Sequence, residues 1–204
     1  MKKYGVTIKH VVAFLLVLIA MLTWTWQYNR INLFYDSHTL AETKYCEMGE
    51  DIEYKGWKGD IDGYSCTVTG FEIIDADQFY KQYDLAKESV QLESDNKLIL
   101  VHITLFNRYS KTQSPALSDL SLYGANYNQL MDFELLMQLN PNVDTNMQIM
   151  IPEGEKCELV IPFILFENDY KDRTWKNINN YTFFISIPAS PLCQYVPLEG
   201  KGEK

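Results

Sequence analysis

The sequence predicts an all-β protein, a two-sheet antiparallel β-sandwich with one short helix, preceded by a single N-terminal transmembrane helix. Three observations carry that expectation. An unbroken apolar run fills Val11 to Leu22. Beyond it, roughly seven short segments of strand character are separated by turn signals, with none of the strand–helix alternation that a parallel sheet requires. Aromatic residues make up 14% of the 204 positions, with fourteen tyrosines, and no Ala-rich helical pattern competes with them.

The N-terminal run comes first. A helix rises about 1.5 Å per residue, so crossing the hydrocarbon takes roughly 17–25 residues. Val11 to Leu22 is short for that alone. Thr23 to Tyr28 extend it with hydroxyls and aromatic rings, and the stem of Lys9 can snorkel at its inner end. Lys2, Lys3 and Lys9 precede the run with no acidic residue before Asp36, a bias that places the N-terminus in the cytoplasm. Trp24, Trp26 and Tyr28 then fall at the outer interface, ring in the headgroups and polar tip in water. No small-x-small pattern follows the run to mark cleavage, and Cys46 lies too far on for a lipoprotein signal. The expected plan is a cytoplasmic tail over 1–10, an uncleaved signal anchor over 11–28 and a stalk over 29–45. A sandwich over 46–193 and a flexible tail over 194–204 follow, both outside the cell membrane.

All 27 acidic residues follow Arg30, together with 14 of the 18 basic ones, so the exported part carries a net −13. A field of that sign repels nucleic acid, which is excluded as a partner.

Within the sandwich, Cys46–Tyr54 alternates weakly and leads into a turn cluster, Lys55–Asp60. Tyr64, Cys66 and Val68 line one face of the next strand; the phase changes at Gly70, predicting a bulge before Phe71 and Ile73. Phe79, Tyr83, Ala86 and Val90 have helical spacing, so Asp77–Ser89 is the expected helix, capped by Asp75 or Asp77. Lys97–Asn107 is the clearest strand, with Ile99, Val101, Ile103 and Leu105 as its core face. Leu117–Tyr123 and Tyr127–Met131 form a pair of strands about the turn Gly124–Asn126, and Asp132–Asn142 reads as one helical turn or a packed loop. Asn146–Ile151 and Lys156–Phe166 are expected strands, the latter at an edge or a bulge because of Pro162. Tyr181–Ile187 is the last, ended by Pro188 and Pro191.

Four cysteines, all exported, permit disulfides and allow three pairings. If Lys156–Phe166 and Tyr181–Ile187 pair antiparallel about Arg173, Cys157 comes close to Cys193. Cys46 and Cys66 are likewise equidistant from Gly56. The expectation is Cys46–Cys66 and Cys157–Cys193, each stabilising by roughly 2–4 kcal/mol, against the alternative of four free or buried thiols.

No spacing suits a metal or a cofactor, and none is expected. His102 stands alone in mid-strand without a nucleophile or carboxylate at a telling distance. Asp60, Asp62, Asp75 and Asp77 lack the further ligands of a calcium loop and read as solvated turns or caps. Trp57 and Trp175 sit in predicted loops amid charge; they are the candidate ligand contacts, against the plainer expectation that they tuck onto the sandwich edge.

One resemblance joins these readings. Gly63-Tyr64-Ser65-Cys66-Thr67-Val68 runs into Phe71-Glu72-Ile73-Ile74. A long apolar strand ending at Asn107 follows, then Leu120 to Gly124 and the turn Ile151–Glu155 leading to Val160-Ile161-Pro162-Phe163. In that order they resemble the immunoglobulin-like (telokin-like) domains of unknown function in secreted or membrane-anchored proteins of Gram-positive bacteria. The resemblance implies fold and location and carries no chemistry. The expected function is therefore that of a non-enzymatic, membrane-tethered extracytoplasmic binding or structural module. Its expected ligand is another envelope protein or a surface polymer. The alternative is an accessory or sensory subunit that associates through its transmembrane helix.

Overall fold

The first element of the computed structural model is a helix, α1, Ile8–His38. The structure describes residues 8–38, 42–56, 58–83, 92–111, 113–125, 127–190 and 192–199, with side chains of α1 over 11–28 only. Val11–Tyr28 has a mean hydropathy of 1.8 and is long and apolar enough, by length and composition, to cross a membrane. Its side chains are exposed throughout, and the two hydroxyls that interrupt it are turned back onto the helix. Thr23 Oγ1 donates to the Ile19 carbonyl at 2.7 Å and Thr25 Oγ1 to that of Met21 at 2.8 Å. Each polar group is thus satisfied without water. Trp24, Trp26 and Tyr28 lie on this exposed stretch, and Lys9 lies outside the described side chains. The stalk expected over 29–45 is corrected: α1 continues through ten of those residues, and Glu42–Tyr45 is a strand.

The chain divides into two units, Met1–Ala41 and Glu42–Lys204. The second is a β-sandwich. One sheet has five strands in the order β1 (Glu42–Tyr45), β9 (Leu192–Leu198), β8 (Phe183–Ala189), β5 (Ser121–Gly124) and β6 (Tyr127–Leu130). The other has four: β2 (Ile52–Tyr54), β3 (Tyr64–Asp75), β4 (Lys97–Asn107) and β7 (Lys156–Leu165). All neighbours are antiparallel except β1, which runs parallel to β9.

Period-two alternation builds the core. Ile99, Val101, Ile103 and Leu105 of β4 lie in register with Phe163, Ile161, Leu159 and Cys157 of β7. They face Leu122 of β5, Phe183, Ile185 and Ile187 of β8, and Val196 and Leu198 of β9 across the sandwich, in one cluster. The bulge falls where the sequence placed it, between Val68 and Gly70. Pro162 sits on an edge strand as its missing N–H requires.

The outer face of the four-stranded sheet is also partly apolar, and two short helices cover it. Leu98, Leu100 and Ile164 pack under Phe79 and Tyr80 of α2 (Ala76–Gln82) and Leu135 of α3 (Phe133–Leu139). Of the helix expected over Asp77–Ser89, α2 is the described part; residues 84–91 lie outside the described residues. Asp75 is its N-cap residue, without a side-chain cap, whereas Asp132 caps α3 by accepting from Leu135 N at 2.9 Å.

Three expectations fail. Asn146–Ile151 is not a strand; a single bridge joins Gln148 to Ala116, and Met147 has a left-handed φ of 56°. Pro188 does not end β8, which continues to Ala189 and turns directly into β9. The flexible tail over 194–204 is therefore corrected as well, since Gln194, Val196 and Leu198 are buried strand residues.

The two expected disulfides are also corrected: all four cysteines are free. The premise for Cys157–Cys193 was that β7 pairs with β8, but they belong to different sheets. Cys157 lies at the end of the inner face of β7, whereas Cys193 lies on the outer face of β9. Cys66 sits opposite Ile52 rather than Cys46, because the β2–β3 hairpin is centred beyond Gly56.

Candidate functional site

The outer face of the five-stranded sheet presents a different surface. Register fixes its members. Tyr45 pairs with Tyr195, Tyr195 with Ser186, Ser186 with Ser121, and Ser121 with Leu130. In the adjacent row Pro197 pairs with Phe184, Phe184 with Tyr123, and Tyr123 with Asn128. On the other side Thr43 pairs with Cys193 and Cys193 with Pro188. No Lys, Arg, Asp or Glu occurs among these positions, on a domain whose remaining surface is strongly acidic. The outer face of the four-stranded sheet carries Glu72, His102, Lys156 and Glu158 beside its helices. Its two edges are open, with Tyr45 69% and Leu130 64% exposed; Tyr123, Phe184 and Tyr195 between them are half-buried, and Ser121, Ser186 and Pro188 are buried.

The aromatic side chains are packed on one another. Tyr123 and Tyr195 stand on strands separated by β8, yet their ring centroids are 5.3 Å apart and nearly perpendicular, at 82°. Both must lean across β8, and the small Ser186 between them leaves the room. Ser186 is wholly buried as a result, and its hydroxyl and that of Ser121 opposite have no hydrogen-bond partner. Tyr45 packs edge-on against Phe184 at 6.0 Å and tilted against Tyr195 at 6.1 Å. Burial, and then the neighbouring Tyr123, push the Tyr195 hydroxyl up to about 12. Burial also raises the Cys193 thiol. Both groups are therefore uncharged at neutral pH. The arrangement can bury apolar and aromatic area against a partner; it offers no charged group for acid–base chemistry.

The residues singled out in the sequence lie elsewhere. Trp175, in the one-turn helix α4 (Asp172–Trp175), stacks on Tyr170 at 5.8 Å and packs against the core, and Tyr127 also packs on Tyr170, at 4.7 Å. It is tucked in, though a cleft of about 440 Å³ opens beside it between Tyr127, Lys171 and Thr174. Trp57 lies outside the described residues. His102 Nε2 is 3.6 Å from the Glu72 carboxylate, which also accepts from the Tyr83 hydroxyl at 2.8 Å and from Gln82. Asp62 organises a turn, accepting from Gly63 N and the Tyr109 hydroxyl, and Asp75 pairs with Lys97 at 2.7 Å. Among the described residues no three His, Cys, Asp or Glu side chains converge.

Sequence reading missed the aromatic face. Tyr45 fell in the expected stalk and Tyr195 in the expected tail. The available signal was alternation in Leu192–Leu198, where Gln194, Val196 and Leu198 share one side and Cys193, Tyr195 and Pro197 the other.

Residues 43–193 match a family described as Domain of unknown function (DUF5028). No curated protein matches the chain. Among solved structures it is similar to an uncharacterized β-sandwich protein from Clostridium difficile 630, at 13% identity and a TM-score of 0.43, covering 78% of this chain and 95% of that one. It is also similar to the yjhA protein from Bacillus subtilis, at 12% identity and a TM-score of 0.42, covering 75% and 99%. A putative lipoprotein, ycdA, from Bacillus subtilis matches at 10% identity and a TM-score of 0.42, covering 76% of this chain and 40% of that one.

Proposed function

The chain belongs to the DUF5028 family of domains of unknown function, and we propose that it is a membrane-tethered extracytoplasmic binding module that works through the outer face of its five-stranded sheet. One observation carries this reading: the face is aromatic, uncharged and exposed along its edges, whereas the apolar part of the opposite outer face is sealed by the protein's own helices. Antiparallel sandwiches expose polar residues on an outer face that meets only water. A row of Tyr, Phe, Pro and Leu there is the composition of an interface core.

Tethering is supported by the apolar helix Val11–Tyr28, by the lysines before it and by Trp24, Trp26 and Tyr28 at its far end. Placement of the domain in the envelope of a Gram-positive bacterium, and of the sandwich in the immunoglobulin-like class, extends this reading and rests on the order of motifs from Gly63 to Phe163. A binding role is preferred to a catalytic one because His102 lies beside Glu72 on the other sheet and the aromatic face carries no Lys, Arg, His, Asp or Glu. An envelope protein is preferred to a surface polymer. A sugar ring needs a free aromatic face to stack on, and here the rings pack on one another, at 36°, 68° and 82°.

Two measurements on intact cells test the reading. Protease added outside should digest the domain while sparing a tag placed before Lys2; a protected domain would overturn the topology. A photoreactive side chain at Tyr45 should yield a cross-linked product, and one at Glu153, on a charged turn, should not. Equal yields from both positions would remove the face as the binding surface.

A further inference from the structure

We propose that the partner adds an extended strand to the free edge of β6, placing one apolar side chain in the cleft beside Tyr127 and a carboxylate over Lys171. The inference rests on the reading of the domain as a binding module and names the edge used and the kind of partner.

The two sheets have four edge strands, β1, β2, β6 and β7, and three are guarded. β2 is closed by the other sheet. The Glu53 carbonyl accepts from Gln194 Nε2 at 2.9 Å, Lys55 N donates to the Pro188 carbonyl at 3.1 Å, and Gly56 bridges to Ala189. β7 is closed by the residues flanking α3, Asp132 on the Pro162 carbonyl and Asn140 on Val160. β1 carries Lys44 on its inward side, held by Glu50 at 2.9 Å, and a charge there opposes pairing with a further strand. β6 has none of these devices. Tyr127, Asn128, Gln129 and Leu130 include no charge and no proline, pair regularly with β5, and all but Gln129 are exposed.

Register shows which backbone groups are free. The turn through Ala125, at a left-handed φ of 49°, makes Gly124 and Tyr127 the hydrogen-bonded pair that closes the hairpin. By alternation Tyr127 and Gln129 bond to β5, while Asn128 and Leu130 turn N–H and C=O outward. Among the described residues no backbone hydrogen bond reaches those four groups. Two donors and two acceptors, repeating at about 6.6 Å along the strand, match the backbone of an extended polypeptide. A lipid tail or a sugar ring supplies no such alternation.

Side chains follow with a period of two. Asn128 and Leu130 belong to the outer face, so Tyr127 and Gln129 lie on the other side. There a cleft of about 440 Å³ opens between Ala125, Tyr127, Tyr170, Lys171 and Thr174. A residue of the added strand opposite Tyr127 points into it, and its neighbours come beside Leu130 at the border of the aromatic face. Lys171 is the charged residue of the cleft, exposed and without an ion pair among the described residues. An acidic residue on the segment complements it. A second copy joined edge to edge would bring Lys171 toward Lys171 instead.

The test uses the full-length chain in intact cells, with a photoreactive side chain at Leu130. Asn128→Pro removes an outward N–H that the fold does not use, and Asn128→Thr keeps it. The expected result is a product joining Leu130 to another polypeptide, retained with Asn128→Thr. Its yield should fall at least fivefold with Asn128→Pro and with Lys171→Glu, while circular dichroism of each purified variant is unchanged. Should Asn128→Pro fail to fold, Lys171→Glu, which alters no backbone group, decides alone. An unchanged yield from either folded variant, or a product of twice the chain mass, would overturn the added strand and leave the binding role standing. A product from a photoreactive side chain at Tyr45 with none from Leu130 would do the same. No product from either position would overturn both.

Discussion

Cys66 shows what a single buried group does to this fold. It lies wholly inside the core opposite Ile52, and burial, with a smaller push from Asp51, raises its thiol from 9.0 to about 12. The thiolate is the reactive form, so Cys66 should resist a maleimide at pH 8 in the native protein while Cys157 and Cys193 are labelled. Unfolding in urea should bring Cys66 to the same rate, and equal labelling before unfolding would contradict its burial. The same shift links stability to pH. The folded-state value lies above the unfolded one, so its contribution is intact below about pH 9 and is lost as pH rises toward about 12. At most about 1.4 kcal/mol per pH unit is at stake in that window. Cys66→Ala should flatten the early part of the alkaline decline in the urea midpoint, before the tyrosines begin to ionise in the unfolded chain.

The helix α3 shows how one short element closes an open edge. Its first and last flanking residues both reach β7, the edge strand of the four-stranded sheet. Asp132 N donates to the Pro162 carbonyl at 3.0 Å. Asn140 Oδ1 accepts from Val160 N, and its Nδ2 donates to Val160 O, both at 2.8 Å. The Asn140 amide therefore stands in for one residue of a missing fifth strand, which is how this edge avoids pairing with another chain. Asn140→Leu leaves both Val160 groups without partners in a largely buried setting and should cost about 2 kcal/mol in urea unfolding. Hydrogen exchange at Val160 should quicken alongside, and unchanged protection there would separate any stability loss from this edge. Elements of this kind were only partly legible in the sequence. β4 and the bulge in β3 were readable because one face is apolar at period two; the Pro162 edge was readable because proline cannot donate. β1 and β9 were not. Their outward residues are aromatic or proline, so the contrast between faces that marks a strand is weak, and β1 finds its partner about 150 residues away. The aromatic face was hidden for the same reason: register joins Tyr45, Tyr123, Phe184 and Tyr195, and no spacing along the chain reveals it.

At the scale of the molecule, those two strands decide where the domain begins and ends. The family match runs over 43–193, and the sequence alone suggested 46–193, but β9 continues to Leu198 and lies between β1 and β8. Its inner residues Gln194, Val196 and Leu198 are buried, and Gln194 Nε2 crosses to the Glu53 carbonyl of the other sheet at 2.9 Å. A fragment over 42–199 should therefore fold without the helix and unfold cooperatively in urea. Ending the fragment at 193 removes two large apolar side chains from the core and separates β1 from β8, a loss beyond the roughly 5–15 kcal/mol that holds a domain of this size together. That fragment should show no cooperative unfolding by circular dichroism. Beginning at 46 is milder: the core is kept, but β9 loses its parallel neighbour and becomes a long, aromatic edge. The expected result is a lower thermal midpoint and concentration-dependent aggregation on size exclusion. If the fragment over 46–199 melted like the one over 42–199, β1 would be an ornament of the sheet, and Tyr45 would have no fixed place on the face assigned to it.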